Sequence, residues 1–262
     1  MKIRAGSLPD YLTATLKNAQ DHSAEPPQLM FMVQQMDQMF QQEIFDQEFE
    51  AHPTTALLVV NSHMMLLSAI RQALSGHVVT TYPIARAALE SACYAFLISC
   101  DETKADIWLN RHVSKSALQR CRDTFTAAKA AKELKGISPE MAEYVMGYYD
   151  ASIDFGAHPN RKSVVDHLES SGPIAGGLHG FELIGVYGRN SWQVNQALLA
   201  CVEAGQAIAF LIAASAKNHP LINERVNVLQ EWMDAKNRMV EEIKGEPLDY
   251  TGPLYCSVMP PS

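Results

Sequence analysis

The feature that most constrains this chain is a twenty-residue window, Ala197 to Ala216, in which nearly every side chain is apolar. A stretch of this length and composition either crosses a membrane or forms the buried centre of a helical protein. Glu203 and Gln206 lie near the middle of the window, where a lone membrane span would leave both polar groups without partners. The window therefore predicts a buried helix in a soluble protein, with no membrane association.

A second segment, from Thr80 to Cys100, is also apolar or small on almost every side. A threonine at 80 or 81 caps it, and Pro83 suits its first turn. Two helices of this kind need other helices around them. The sequence therefore predicts one all-α domain, a single bundle of about eight helices with these two at its centre. No segment alternates strongly enough between apolar and polar residues to predict a sheet.

The predicted bundle covers residues 28–244, between two less regular ends. Residues 1–27 predict an N-terminal helix and a linker. Residues 245–262 are rich in proline and glycine, which predicts an extended tail. Within the bundle, residues 171–190 predict an irregular glycine-rich insertion, and the sequence leaves open whether residues 181–188 form a strand or a helical turn.

Two further segments predict long helices with one apolar face. Leu29 to Phe49 carries methionines and other apolar residues at three- and four-residue steps. A methionine stripe is usually adaptable packing, but here it also predicts a partner surface and a homo-oligomer, because a monomer would not cover it fully. Asp101 to Gly136 predicts one helix that begins at an aspartate cap and ends in a lysine-rich turn.

The net charge and the cysteine content indicate which partners and which cellular compartment to expect. The net charge of −8 and the isoelectric point near 5.6 disfavour nucleic acid, because a negative protein repels a phosphate backbone. The five cysteines include no C-x-x-C pair, and the N-terminus lacks the apolar region of a signal peptide, so reduced thiols and a cytoplasmic location are expected. No motif identifies a cofactor, and a small-molecule ligand or a protein is the expected partner.

The polar stretch "YYDASIDFGAHPNRKSVVDH" is the first candidate site. Asp150, Asp154 and His158 stand at four-residue steps, which places them on one face if the helix continues through Pro159. Two carboxylates and an imidazole in that arrangement could hold a divalent metal or share a proton. The other interpretation is a solvated helix face followed by a helix boundary, with Asn160 capping the next helix. The sequence leaves both open.

A charged pair on the apolar helix is the second candidate site. Arg86 and Glu90 are one turn apart, and burying such a pair is costly unless it is mutually satisfied or lines a cavity. It is either a salt bridge that fixes helix register or part of a ligand-binding pocket with Asp154, His158 and Asn160. In the second case we expect the break at Gly156 to Asn160 to bring His158 toward the pair, with Asp154 one turn behind it, because a buried pair needs further polar partners.

The segments "RAALE" (Arg86 to Glu90) and "SIDFGAHPN" (Ser152 to Asn160) together support a resemblance. The combination resembles a group of bacterial helical-bundle proteins of unassigned function, which are in turn similar to the HEPN superfamily of nucleotide-binding and ribonuclease domains. The chain carries no strong catalytic motif outside this resemblance. The leading interpretation is therefore a cytoplasmic binding or regulatory module with a polar pocket.

The resemblance also implies an enzymatic alternative. The HEPN ribonuclease signature is an arginine followed after four to six residues by a histidine, and both Arg161 with His167 and Arg71 with His77 fit it. By this resemblance, His167 would act as general acid or base on a ribose 2′-hydroxyl, and Arg161 would stabilise the phosphorane-like transition state. Enzymes of this kind need no metal and usually assemble the site across a dimer.

Overall fold

The computed structural model describes residues 6–48, 50–174, 178–188, 191–248 and 252–257 of the chain. Within these residues the protein is mostly all-α, as predicted, with twelve α-helices and one small two-stranded sheet. Short π-helical or 3-10 turns extend several of the helices.

The helices and strands follow one another along the chain with short connections. Their bounds are α1 (Leu8–Ala24), α2 (Met30–Phe40), α3 (Pro53–Leu74), α4 (Val78–Cys100), α5 (Lys104–Leu109), α6 (Lys115–Thr124), α7 (Ala127–Leu134), α8 (Pro139–Ser152), α9 (Arg161–Val164), β1 (Leu168–Ile174), β2 (Leu178–Leu183), α10 (Trp192–Ala214), α11 (Pro220–Asn223) and α12 (Val226–Lys244). The described residues form more helices than the eight predicted, because the predicted helix from Asp101 to Gly136 is divided into three and the short helices α9 and α11 add to the count.

The centre of the bundle is formed by α4 and α10, with α3 packed along both. Helix α10 is the predicted buried helix, and 94% of its most apolar window is buried inside the protein. By length and composition alone, α3 and α10 could each cross a membrane. In this structure the helices around α10 cover its apolar surface. The hydrophobic effect stabilises this arrangement, because it removes that surface from water.

The single helix predicted from Asp101 to Gly136 is wrong, because the structure divides this segment into α5, α6 and α7. The Ser114 hydroxyl accepts a hydrogen bond from the backbone N–H of Ala117 at 3.0 Å, and the Thr126 hydroxyl accepts one from Lys129 at 3.2 Å. Both residues therefore act as N-caps in the middle of the segment. An apolar periodicity that continues across a cap does not by itself require a continuous helix.

The methionine-rich segment is buried inside the bundle. Met32, Met36 and Met39 are at most 7% exposed, and α2 passes into a π-helical turn at Gln41–Phe45. The predicted end of this helix, Phe49, lies outside the described residues. Met36 packs so closely on α10 that a methyl group added at Gly205 would lie 2.1 Å from its sulfur. The prediction that this stripe is an uncovered partner surface is wrong.

An irregular segment is predicted for residues 171–190, but residues 171–174 and 178–183 belong to the two strands of a β-hairpin, and only residues 184–188 of the described part are irregular. Strands β1 and β2 pair antiparallel, with Leu168 opposite Leu183 and Ser170 opposite Phe181. This places the first part of residues 181–188 in a strand. Leu168, Leu183 and Phe181 are all exposed, so the side chains described in the hairpin show no buried face whose alternation would have identified it.

The described end of the chain is folded onto the bundle, whereas an extended tail is predicted. Residues Leu254–Cys256 form one 3-10 turn, and the side chains of Leu254 and Tyr255 are buried. The Tyr255 ring lies among the rings of Tyr82, Tyr148 and Phe155, with centroids 5.2 to 5.7 Å away. This aromatic contact attaches the terminal segment to α4 and α8.

Candidate functional site

One side of α4 is open enough to meet solvent, and it carries polar residues. Most of the helix is buried, but Arg86, Glu90 and Tyr94 are half-buried and follow one another at four-residue steps. That spacing places them in line along the helix. We call these three residues the α4 polar strip.

The side chain of Arg86 is held in one position by two neighbours. Its Nε donates a hydrogen bond to Oε1 of Glu90 at 3.1 Å, and its Nη2 donates one to the hydroxyl of Tyr149 on α8. The guanidinium carbon also lies 4.2 Å from the centroid of the Tyr149 ring, within the range of a cation–π contact. Arg86 and Glu90 thus form a salt bridge, and its side chains stay 17% and 32% exposed.

A second arginine approaches the far end of the α4 polar strip. Burial, together with the nearby Glu90 carboxylate, raises the pKa of Tyr94 to about 12, and the Arg111 guanidinium acts in the opposite direction. The Nε of Arg111 is buried and has no hydrogen-bond partner among the described residues. A buried guanidinium N–H without an acceptor is costly, so this group is a candidate to receive an acceptor from a ligand.

His158 makes no side-chain hydrogen bond or ion pair with Arg86 or Glu90 among the described residues, and the expected pocket around it stays a prediction. Its side chain is exposed, and its backbone carbonyl accepts hydrogen bonds from Asn160 Nδ2 at 3.2 Å and Ser163 Oγ at 3.0 Å. Tyr149 supplies the further polar partner instead. Tyr149 was not predicted as a partner, because the expected partners were the charged residues of the neighbouring stretch.

Asn160 has the capping role that the sequence predicts. Its Oδ1 accepts a hydrogen bond from the backbone N–H of Ser163 at 3.1 Å, and the Ser163 hydroxyl accepts one from the Asn160 N–H at 2.9 Å. This reciprocal pair is a capping box at the start of α9. The interpretation as a helix boundary is therefore confirmed for this part of the stretch.

The metal site predicted from Asp150, Asp154 and His158 is not formed. The described residues include no group of three or more histidine, cysteine, aspartate or glutamate side chains that could hold a metal ion. The chain leaves α-helical geometry in the π-helical turn at Ile153–Ala157, so four-residue spacing no longer keeps side chains on one face. Asp154 pairs with Lys162 at 3.4 Å on the surface instead.

The histidines of the two arginine–histidine motifs lie near one junction, where the turn between α3 and α4 meets the segment after β2. Nδ1 of His77 is 2.8 Å from the Tyr11 hydroxyl, and Nδ1 of His167 is 2.5 Å from the Tyr187 hydroxyl. The Tyr187 N–H donates to the carbonyl of Gly76 at 2.8 Å. Burial lowers the pKa of both histidines, which favours their neutral forms at neutral pH.

The arginines of these motifs do not bind their histidines. The side chains of Arg161 and Arg71 are exposed, and neither makes a hydrogen bond or ion pair within the described residues. The acid–base role of His167 and the transition-state role of Arg161 stay predictions. A tyrosine hydroxyl lies within hydrogen-bond distance of Nδ1 in each imidazole, so Nε2 is the ring nitrogen that the tyrosine does not bind.

A buried ion pair between α10 and α12 lies deeper in the bundle. Glu203 and Lys236 are 0% and 4% exposed, and Lys236 Nζ lies 3.0 Å from Glu203 Oε1. Both carboxylate oxygens also bind the terminal segment, because the N–H groups of Leu254 and Tyr255 donate to Oε1 at 2.9 Å and Oε2 at 3.1 Å. A carboxylate at the first N–H groups of a helical turn is a favourable arrangement.

Two polar side chains extend this buried network. The Tyr144 hydroxyl donates to Oε1 of Gln206 at 2.9 Å and lies 3.4 Å from Lys236 Nζ. Sequence reasoning identified Glu203 and Gln206 only as obstacles to a membrane span. Their presence in an apolar helix was the available signal that buried partners must exist, but nothing in the sequence identified Lys236 or the chain end as those partners.

Comparison with known proteins adds no assignment. No family model matches this chain, no curated protein matches it, and no solved structure matches its fold. A function is therefore inferred from the chemistry of the α4 polar strip and of the junction that holds His77 and His167.

Proposed function

We propose that this protein is a binding module and that the α4 polar strip is its site for a small molecule with a carboxylate or phosphate group. The observation that carries the proposal is the state of Arg86. Its guanidinium is oriented by Glu90 and Tyr149 but remains partly exposed, and its Nη1 has no hydrogen-bond partner among the described residues. A preorganised guanidinium with a free edge is suited to bind an oxyanion.

The charge around the strip supports an anionic ligand. Arg86 and Arg111 contribute two positive charges and Glu90 one negative charge, so these three residues together carry a charge of +1 in a chain whose net charge is −8. The Tyr94 hydroxyl stays protonated at neutral pH, because its pKa is raised to about 12, and can donate to the same anion. The ligand would occupy a partly buried position, where the electrostatic attraction is stronger than in bulk water.

Calorimetric titration of the purified protein tests this proposal with inorganic phosphate, acetate, succinate and adenosine monophosphate as separate probes. We expect at least one probe to bind, and Arg86→Gln to weaken that binding by about tenfold or more, as loss of one charge-assisted hydrogen bond implies. Arg111→Gln should weaken the binding of the same probe. The probes that bind will show whether the site prefers a carboxylate or a phosphate.

Arg71→Gln is the matched control, because Arg71 is exposed and lies outside the strip. It should leave binding unchanged, and far-ultraviolet circular dichroism should show that all three variants are folded. The proposal is rejected if none of the four probes binds, or if Arg86→Gln and Arg71→Gln have the same affinity as the original protein.

A metal-independent ribonuclease is the second candidate function. It is favoured by His167, whose imidazole is half-buried, held by Tyr187 and shifted toward its neutral form. If this proposal holds, the protein cleaves mixed RNA in the presence of a chelator, and His167→Ala abolishes the cleavage. His179→Ala is the control, since His179 is an exposed histidine on the neighbouring hairpin. Intact RNA after incubation with the original protein would exclude this candidate and leave the binding module.

A further inference from the structure

The solvent-facing side of α3 is apolar along its middle. Leu57, Val60, Met64 and Leu67 are 65%, 55%, 59% and 38% exposed. Their spacing of three, four and three residues is that of the a and d positions of a coiled coil. We call these four residues the α3 strip. The opposite side of the helix packs on α4 and α10, so the apolar residues of the α3 strip are not needed for the packing of this bundle.

Charge is missing from this helix to an unusual extent. Between Pro53 and Ile70 there is no aspartate, glutamate, lysine or arginine, in a chain where such residues make up 19%. The other exposed positions beside the strip include Asn61 and Ser68, which are polar but neutral. An uncharged helix face of five turns does not contribute to solubility. Contiguous exposed apolar surface of this kind usually marks an interaction site.

We propose that the α3 strip pairs with the α3 strip of a second copy of this chain, related by a twofold axis. A pairing of identical faces requires a face that does not repel itself. Two chains of net charge −8 repel each other through most of their surfaces, but their α3 helices meet without any like charges in contact. An interfacial membrane helix would instead carry lysine or arginine beside its apolar face, and α3 has only Arg71, at its end.

The size of the α3 strip sets the expected strength of the pairing. From Leu57 to Leu67 the strip rises about 15 Å along the helix, which is less than two heptads. Such a face alone falls below the roughly 800 Å² per partner of a standard stable interface. The pair should therefore be a reversible dimer that dissociates in the micromolar range.

Sedimentation velocity across about 1 to 200 μM protein tests the proposal in the range where such small interfaces dissociate. We expect a monomer–dimer equilibrium for the original protein. Met64→Glu places a charge in the centre of the strip, where it would face its own copy, and should weaken association by about tenfold or more. Val113→Glu is the matched control, because Val113 is an apolar residue that is 76% exposed on the connection between α5 and α6. It should not change the equilibrium.

Three results would overturn the proposal. The first is a monomer at every concentration, and the second is a dimer that Met64→Glu and Val113→Glu affect equally. The third is co-sedimentation of the original protein, but not of Met64→Glu, with phosphatidylcholine vesicles, which would identify a bilayer as the occupant of the strip. Circular dichroism of both variants separates each result from a loss of folding.

Discussion

Lys236→Met is expected to lower the free energy of unfolding by about 3–5 kcal/mol, because it leaves the buried Glu203 carboxylate without its cation. Methionine keeps the length and most of the volume of lysine, so the change removes charge more than packing. Glu203 would retain the backbone N–H groups of Leu254 and Tyr255 as its partners. Guanidinium denaturation followed by circular dichroism at 222 nm, a wavelength that reports helix content, measures the loss.

Lys217→Met provides the matched control for this prediction. Lys217 pairs with Glu50 at 3.5 Å, but the two side chains are 70% and 79% exposed. A solvated ion pair of this kind contributes about 0–1 kcal/mol. A similar small loss in both variants would mean that the pair between Lys236 and Glu203 is not buried as the structure describes it.

Gly76→Ala is expected to destabilise the junction where α1, the α3–α4 turn and the segment after β2 meet. Gly76 has a φ of +81°, and an added Cβ would lie 2.1 Å from the carbonyl oxygen of Tyr187. The left-handed conformation costs a residue with a Cβ about 1–2 kcal/mol. Displacement of Tyr187 also disrupts its hydrogen bonds with Gly76 and Asn18, each 2.8 Å long. We expect a total loss on the order of 3 kcal/mol.

Gly245→Ala separates the cost of the left-handed conformation from the cost of the contact with Tyr187. Gly245 has a φ of +76° at the end of α12, and an added Cβ would have nothing within 4 Å. It should therefore show only the conformational cost of about 1–2 kcal/mol. Denaturation measures both variants, and amide hydrogen exchange at Tyr187 should accelerate only in Gly76→Ala. Equal losses in the two variants would indicate that the contact with Tyr187 contributes nothing.

The sequence was sufficient where a local pattern is also the physical cause of the structure. The helical class, the burial of α10 and the capping role of Asn160 all follow from residue types at fixed spacings. Apolar periodicity locates the helix faces that leave water, and a capping side chain acts on N–H groups two or three residues away. These interactions are complete within one segment, so a single segment is enough to predict them.

Predictions that required two segments to meet were less accurate. The sequence identified Arg86 and Glu90 as a pair, because they are one helical turn apart, but it assigned His158 as their neighbour where the structure places Tyr149. Tyr149 lies within α8, whereas His158 follows the end of that helix. A π-helical turn at Ile153–Ala157 rotates the following residues away from the face that a continuous α-helix would give them.

The sequence by itself determined the all-α class, the central position of the two apolar helices and the presence of polar groups that would need partners inside them. Only the tertiary structure decided what those partners are: Lys236 and the chain end for Glu203, and Tyr149 for Arg86. The physical reason is that the cost of burying a charge is a property of the residue and its immediate segment. The group that satisfies the charge is chosen by how distant helices pack, and many polar residues of the chain were equally available before the chain folded.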